Sequence, residues 1–346
     1  MNSTFIRVAA ITGGYNVPSA RFRVRQLAPA LLRSDVVIRE FIPVVSAYPP
    51  VQKWVRPIWG ALAVAERVPF VVASYGYDVT LLQREMVSTF MTLEPLTKGP
   101  RVLDVDDAIF LSRGGKFVER LVRHCESIIC GNEYLAENFI RWNENVVVIP
   151  TAVDTDKYTP RENSYNSYDE QQAVIGWTGT SGNFKYLYQI ENALWMVLQA
   201  CPRAKLRIIA DSEPIFRNIP KSRIEFIHWT PENEVESIRS MTIGIMPLEN
   251  SNWERGKCSY KMLLYMACGL PVVVSPVGMN KQLLSMGDVG VGAISQKEWV
   301  DAILDLLSSA KDRKRMGKIG REVVQNYFSV DVIAPRLANH LRKIAS

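Results

Sequence analysis

The chain has 346 residues, 47% of them hydrophobic and 22% charged, with a formal net charge of +6. That length exceeds a typical single core, so two domains are expected, in a composition ordinary for a soluble globular protein. Five cysteines without a C-x-x-C pair, and only three histidines, indicate neither a disulfide framework nor a zinc site and point to a reducing compartment.

The N-terminus carries one basic residue before a short apolar run, which reads as a first strand rather than a signal peptide. Strand patterns at residues 6–11, 36–41, 79–83, 101–104, 127–130 and 146–149 alternate with helical patterns at 21–33, 117–124 and 133–142, which predicts a parallel α/β sheet. Residues 54–75 are the most apolar window, but Arg56, Glu66 and Arg67 interrupt it, so no stretch approaches the roughly 20 apolar residues of a spanning helix. This window reads either as a core helix with a solvated edge or as a helix lying on a membrane surface. Residues 1–60 hold eight basic groups (Arg7, Arg21, Arg23, Arg25, Arg33, Arg39, Lys53, Arg56) against Asp35 and Glu40. Such an excess favours an anionic surface or acceptor, and no nucleic-acid motif accompanies it.

The polar run at 161–172 reads as a linker. A second series follows, with strands at 173–177, 205–210, 224–228, 243–247 and 272–275, a helix at 186–200, and helical patterns at 297–307, 311–327 and 332–344. The expected organisation is an acceptor-side domain at 1–165, a donor domain at 173–328 and a last helix at 329–346.

Open α/β sheets bind ligands at the carboxyl ends of their strands, so the loops that follow strands carry the chemistry. After the first strand come Gly13 and Gly14, where backbone can approach a ligand closely. Arg21, Arg23 and Arg25 follow, three cations that repel one another unless an anion is near. Asp104, Asp106 and Asp107 end another strand and are suited to binding a divalent metal, acting as a base, or accepting hydrogen bonds from sugar hydroxyls. A metal-dependent D-x-D transferase or an aspartyl phosphatase would need companion residues that are missing. In the second series, Gly179, Thr180, Ser181 and Lys185 stand at a helix entrance and suit a phosphate.

Residues 244–280 hold the densest signal: strand, basic loop, helix, strand. Ser259 stands at the N-cap position, Lys257 and Lys261 are four apart on one helical face, and Gly269-Leu270-Pro271 stops the helix. Unpaired N–H groups, the macrodipole and two ammonium groups then favour a phosphate there.

Met266-Ala267-Cys268-Gly269-Leu270-Pro271-Val272-Val273 resembles the signature of retaining glycosyltransferases of the GT-B fold, family 4 in particular. The resemblance implies two facing Rossmann-like parallel-sheet domains, with the last helix returning to the first. It implies transfer of a sugar from a nucleotide diphosphate donor to an acceptor hydroxyl, in cell-surface polysaccharide or glycolipid synthesis, without a metal cofactor. Lys257, Lys261 and Asp106 become the catalytic candidates. Donor contacts fall to Gly13, Gly14, Gly179, Thr180, Ser181, Lys185, His228, Trp229, Glu254, Gly256, Ser259 and Gly278, and acceptor contacts to Arg21, Arg23, Arg25 and Asp107. The expected location is cytoplasmic, peripheral on the inner membrane face, with a glycan or lipid-linked acceptor. Two departures stand out. Thr180 occupies the place of an arginine, and Gly256 and Leu264 fall where the family carries the two glutamates of its E-x7-E pair. The alternatives are therefore a non-catalytic GT-B subunit of a glycan assembly complex and a sugar-nucleotide epimerase on the same fold.

Overall fold

The computed structural model describes residues 5–161 and 173–346. All of the linker expected at 161–172 except Arg161 lies outside the described residues. The chain divides into two compact units: residues 1–152, 255–258 and 330–346 form the first, and residues 153–254 and 259–329 the second. The first unit thus ends at Ala152 rather than near 165, and takes in four residues from the basic loop that the sequence reading assigned wholly to the donor domain.

Unit 1 is built on six parallel strands, β1 (Ile6–Ile11), β2 (Val36–Phe41), β3 (Val79–Gln83), β4 (Arg101–Val105), β5 (Ser127–Cys130) and β6 (Val146–Val148), in the order β2-β1-β3-β4-β5-β6. Val8 pairs with Ile38 on one side and Val79 on the other. Strands β3 and β5 are buried along their length, as strands covered on both faces should be. Helix Val330–Ala345 supplies Ile333, Leu337 and Leu341 to the same core as Val8, Leu81 and Ile129. The helical pattern at 21–33 is not one helix: Pro18–Arg23 and Ala28–Leu32 are separated at Val24, where ψ is −65° and φ −122°. Pro29, which lacks an N–H, sits in the first turn of the second piece, where a missing donor matters least.

Unit 2 repeats the plan with β7 (Ala173–Thr178), β8 (Ala204–Ala210), β9 (Ile224–His228), β10 (Ile243–Met246), β11 (Val272–Val274) and β12 (Gly290–Gly292), ordered β12-β11-β10-β7-β8-β9. The short β12 has no counterpart in the sequence reading, because three residues with two glycines carry no periodic signal. In each unit the strand order reverses beside the first strand, between β1 and β3 and between β7 and β10. Open sheets hold ligands at such switch points.

Helix Arg56–Ser74 overturns the core-helix alternative. Only Ala63, Arg67, Val71 and Ser74 are buried, whereas Trp54 is 79% and Ile58 62% exposed, with Leu62 and Val72 outside as well. Its packed side mixes small or apolar residues with Arg67 and Ser74. Arg67 Nη1 donates to the Ala63 carbonyl at 2.6 Å, and the Glu66 carboxylate accepts from the Val44 and Val45 N–H groups at 2.6 and 2.8 Å. With its preceding turn, Lys53–Ser74 is long and apolar enough, by length and composition, to cross a membrane. That corrects the count of uninterrupted apolar residues made from the sequence.

Candidate functional site

At the switch point of unit 2, the loop after β7 packs on the signature helix Tyr260–Ala267. A Cβ on Gly179 would stand 2.5 Å from Lys261 Cε and 2.8 Å from the Trp177 ring, so a side chain here would displace the lysine or the indole, and glycine allows the close approach. Lys261 Nζ lies 5.5 Å from the Trp177 ring centroid, a cation–π arrangement that keeps the ammonium charge beside the loop. The loop after β10 brings in Glu254, which is 2% exposed. Tyr186 and Ser251 hydroxyls donate to its carboxylate, and Lys185 Nζ is 3.7 Å away. Burial pushes the Glu254 carboxyl up, but the two hydroxyl donors and Lys185 together hold it below the usual carboxylate range. A buried, ionised carboxylate thus stands two residues before Gly256.

Other expected donor contacts are placed differently. Ser181 directs both its N–H and its hydroxyl to Asp211, at 2.6 and 2.7 Å, so an internal carboxylate already meets donors that the sequence reading gave to a phosphate. Thr180 is exposed, and its hydroxyl accepts from Asn183 at 2.9 Å. Trp229 Nε1 donates to Glu234 at 3.0 Å, while His228 is exposed at the end of β9. Gly278 has φ +52° ahead of helix Met279–Ser285, a backbone that favours glycine. Ser259 precedes the signature helix in left-handed conformation, and its buried hydroxyl makes no cap hydrogen bond. Lys257 is not on that helix, so the two lysines do not share one helical face.

Residues 255–258 belong to unit 1. Asn132 caps helix Glu133–Phe139 by accepting from Leu135 N–H at 2.9 Å, and its Nδ2 donates to the Arg255 and Lys257 carbonyls at 3.2 and 3.1 Å. The Cys258 thiol donates to the Asp106 carbonyl at 3.3 Å, and burial pushes that thiol up, keeping it neutral. A Cβ on Gly256 would stand 2.9 Å from the Ala108 nitrogen. The position that carries a glutamate in the resembling family is here a close backbone crossing, and a side chain does not fit. Asn132 escaped the sequence reading; its only signal was an N-cap residue before a helical pattern.

The acceptor-side arginines are engaged internally. Arg23, 5% exposed, makes a fork to both Asp104 oxygens at 2.7 and 2.5 Å, with further bonds to Thr151 and the Ile149 carbonyl. Burial opposes its charge, but Asp104 outweighs burial and holds the guanidinium firmly charged. Arg25 forms a second fork to Glu40, both bonds 2.9 Å. Arg21 lies over the Phe22 ring at 4.6 Å. The acidic run is divided as well: Asp104 faces Arg23, Asp107 accepts from Arg84 at 3.2 Å, and Asp106 keeps one buried oxygen without a partner among the described residues. Among the described residues these three carboxylates form no group placed to share a metal ion.

Gly13 ends its loop in a small recess with Tyr48, Gln83, Arg84, Glu85 and Ser88, and Gly14 beside it has φ +144°.

Comparison with known proteins agrees with this layout. Residues 172–309 match the family model described as Glycosyl transferases group 1. The D-inositol 3-phosphate glycosyltransferase of Corynebacterium aurimucosum is 25% identical over 228 residues, which are 59% of this chain and 53% of that protein. The match therefore spans about half that relative's length. Sucrose-phosphate synthase from Thermosynechococcus elongatus superposes with a TM-score of 0.71 at 15% identity, covering 98% of each chain. Anabaena HepE, solved in complex with UDP and glucose, gives 0.70 at 12% identity, covering 98% of this chain and 100% of its own.

Proposed function

Starting from a GT-B fold whose second unit carries a Glycosyl transferases group 1 match, we propose that this protein transfers a sugar from a nucleoside diphosphate donor to an acceptor hydroxyl with retention of configuration. The observation that carries the reading is the Gly179 loop held against Lys261 at the unit 2 switch point, a close backbone approach joined to a fixed cation. As the bond from sugar carbon to phosphate oxygen breaks, its electron pair passes to the diphosphate. Lys261 and Lys257 stabilise that charge, with no metal required. The acceptor oxygen bonds to the same carbon, and its proton goes to the departing phosphate oxygen. Asp106 stands on the acceptor side, and Glu254 takes the donor-sugar role that Gly256 cannot. HepE's complex with UDP supports a uridine nucleotide as the first donor to test. An acceptor presented at the inner face of a membrane fits the exposed apolar side of helix Arg56–Ser74.

The test is calorimetric titration with UDP, together with transfer assays over a panel of nucleotide sugars with and without chelator. Each charge-assisted contact contributes about 1.5–3 kcal/mol, so Lys261→Ala should weaken UDP binding by roughly 10- to 100-fold and the double Lys257→Ala, Lys261→Ala variant should abolish it, with the thermal melt unchanged. Unaltered affinity in the double variant would remove the donor assignment. UDP binding without any transfer would favour the non-catalytic subunit.

A further inference from the structure

A recess lies at the unit 1 switch point, beside the ends of β1 and β3. It is lined by Gly13, Tyr48, Gln83, Arg84, Glu85 and Ser88 and has room for about one water-sized group. Gln83, 2% exposed, leaves Nε2 without a hydrogen-bond partner among the described residues. Glu85, 5% exposed, accepts from the Thr89 N–H at 3.2 Å through Oε1, while Oε2 lacks a hydrogen-bond partner among the described residues and lies 3.8 Å from Arg84 Nε. Buried polar atoms are almost always satisfied, so an orphan donor and an orphan acceptor lining one recess are a departure that asks for a ligand. The backbone adds a second. Arg84 has φ +65° and Thr89 φ +66°, left-handed conformations that bulky residues rarely adopt and that cluster where strain serves a site.

We infer that this recess binds one hydroxyl of a polyol acceptor, with Gln83 Nε2 donating to the hydroxyl oxygen and Glu85 Oε2 accepting its hydrogen. A hydroxyl is the group that both gives and takes a hydrogen bond and fits so small a space. A phosphate is too large and meets the Glu85 carboxylate. An ammonium cannot accept from Gln83 and meets Arg84. An apolar group leaves both orphans unmet. Arg84, tied to Asp107 at 3.2 Å and beside Glu85, fixes the strained turn that presents both side chains. The inference rests on the glycosyl-transfer reading and deepens its acceptor half, moving acceptor recognition from Arg23 and Arg25 to Gln83 and Glu85.

Saturation-transfer NMR on the full chain tests it, with myo-inositol and methyl α-D-glucopyranoside as probes and UDP in the same tube reporting the donor side. Gln83→Met and Glu85→Gln keep side-chain size, and thermal melts report their folding. The wild type should bind at least one of the two polyols, each variant should weaken that binding by at least about tenfold, and the UDP signal should persist, since a site built around a hydroxyl is impaired when its partner is removed. Wild-type protein that binds neither polyol, or binding unchanged in a folded variant, would overturn the inference and leave the recess to a structural water. Loss of the UDP signal alone, with the polyol pattern intact, would instead remove the donor reading and leave the recess standing.

Discussion

Two short basic stretches look alike on paper and differ in the folded chain. Arg21, Arg23 and Arg25 after β1, and Lys257 and Lys261 around the signature helix, both read as cations gathered for an anion. In unit 1, Arg23 and Arg25 each close a two-pronged fork on an internal carboxylate, Asp104 and Glu40. In unit 2, Lys261 lies over the Trp177 ring, a contact with an aromatic face rather than a fork on a carboxylate. A charge count therefore predicts an anion site only when the opposite charges that folding brings in are known. Asp104 lies 81 residues from Arg23, and no local pattern joins them.

Of these cations, Arg23 should be the costliest to remove. Removing one partner of a buried, hydrogen-bonded ion pair leaves the other charge buried alone, so Arg23→Met should destabilise the protein by about 3–5 kcal/mol. Urea unfolding measures this. A variant that melts like the wild type but shows a raised acceptor KM would return Arg23 to the acceptor site.

Gly256, in the basic loop, should resist the opposite change. Restoring the family's carboxylate with Gly256→Glu forces a side chain against Ala108, and overpacking of this kind costs about 1–3 kcal/mol. Transfer activity should fall as well, because Glu254, two residues earlier, already supplies a buried carboxylate. A stable and faster Gly256→Glu enzyme would mean that the position has room and that the glycine marks lost catalysis.

What could be read in advance follows from the range of each signal. The parallel sheets were legible because strands buried on both faces are continuous apolar runs, as in β10 and β11. The signature helix and the Gly179 loop were legible because their chemistry is local in sequence. The engagement of Ser181 with Asp211, 30 residues on, was not. Nor was the clamp of Asn132 on Arg255 and Lys257, 123 and 125 residues away, which assigns part of the basic loop to the first unit. Gln83 and Glu85 passed unnoticed because single polar residues at a strand end are ordinary; their lack of partners appears only in three dimensions.

The smallest effect concerns Lys53 and Arg56. Among the described residues, Arg7, Arg23, Arg25 and Arg33 of the same basic segment lie in ion pairs with Asp78, Asp104, Glu40 and Asp331. The segment's attraction for an anionic membrane is accordingly weaker than its sequence charge suggests. Lys53 and Arg56 are exposed at the start of the helix that turns Trp54, Ile58 and Leu62 outward. Basic residues at a membrane surface contribute on the order of 1 kcal/mol each and are screened by salt, whereas the apolar side chains are not screened. Co-sedimentation with anionic vesicles should therefore survive Lys53→Gln with Arg56→Gln in reduced, salt-sensitive form, and should be lost in Trp54→Ser with Ile58→Ser. Protein that stays in the supernatant with anionic vesicles at low salt would show that this face does not dock on a membrane. Equal loss in both variant pairs would mean that the two basic residues contribute as much as the apolar face, and that the matched arginines had been a poor guide to the rest.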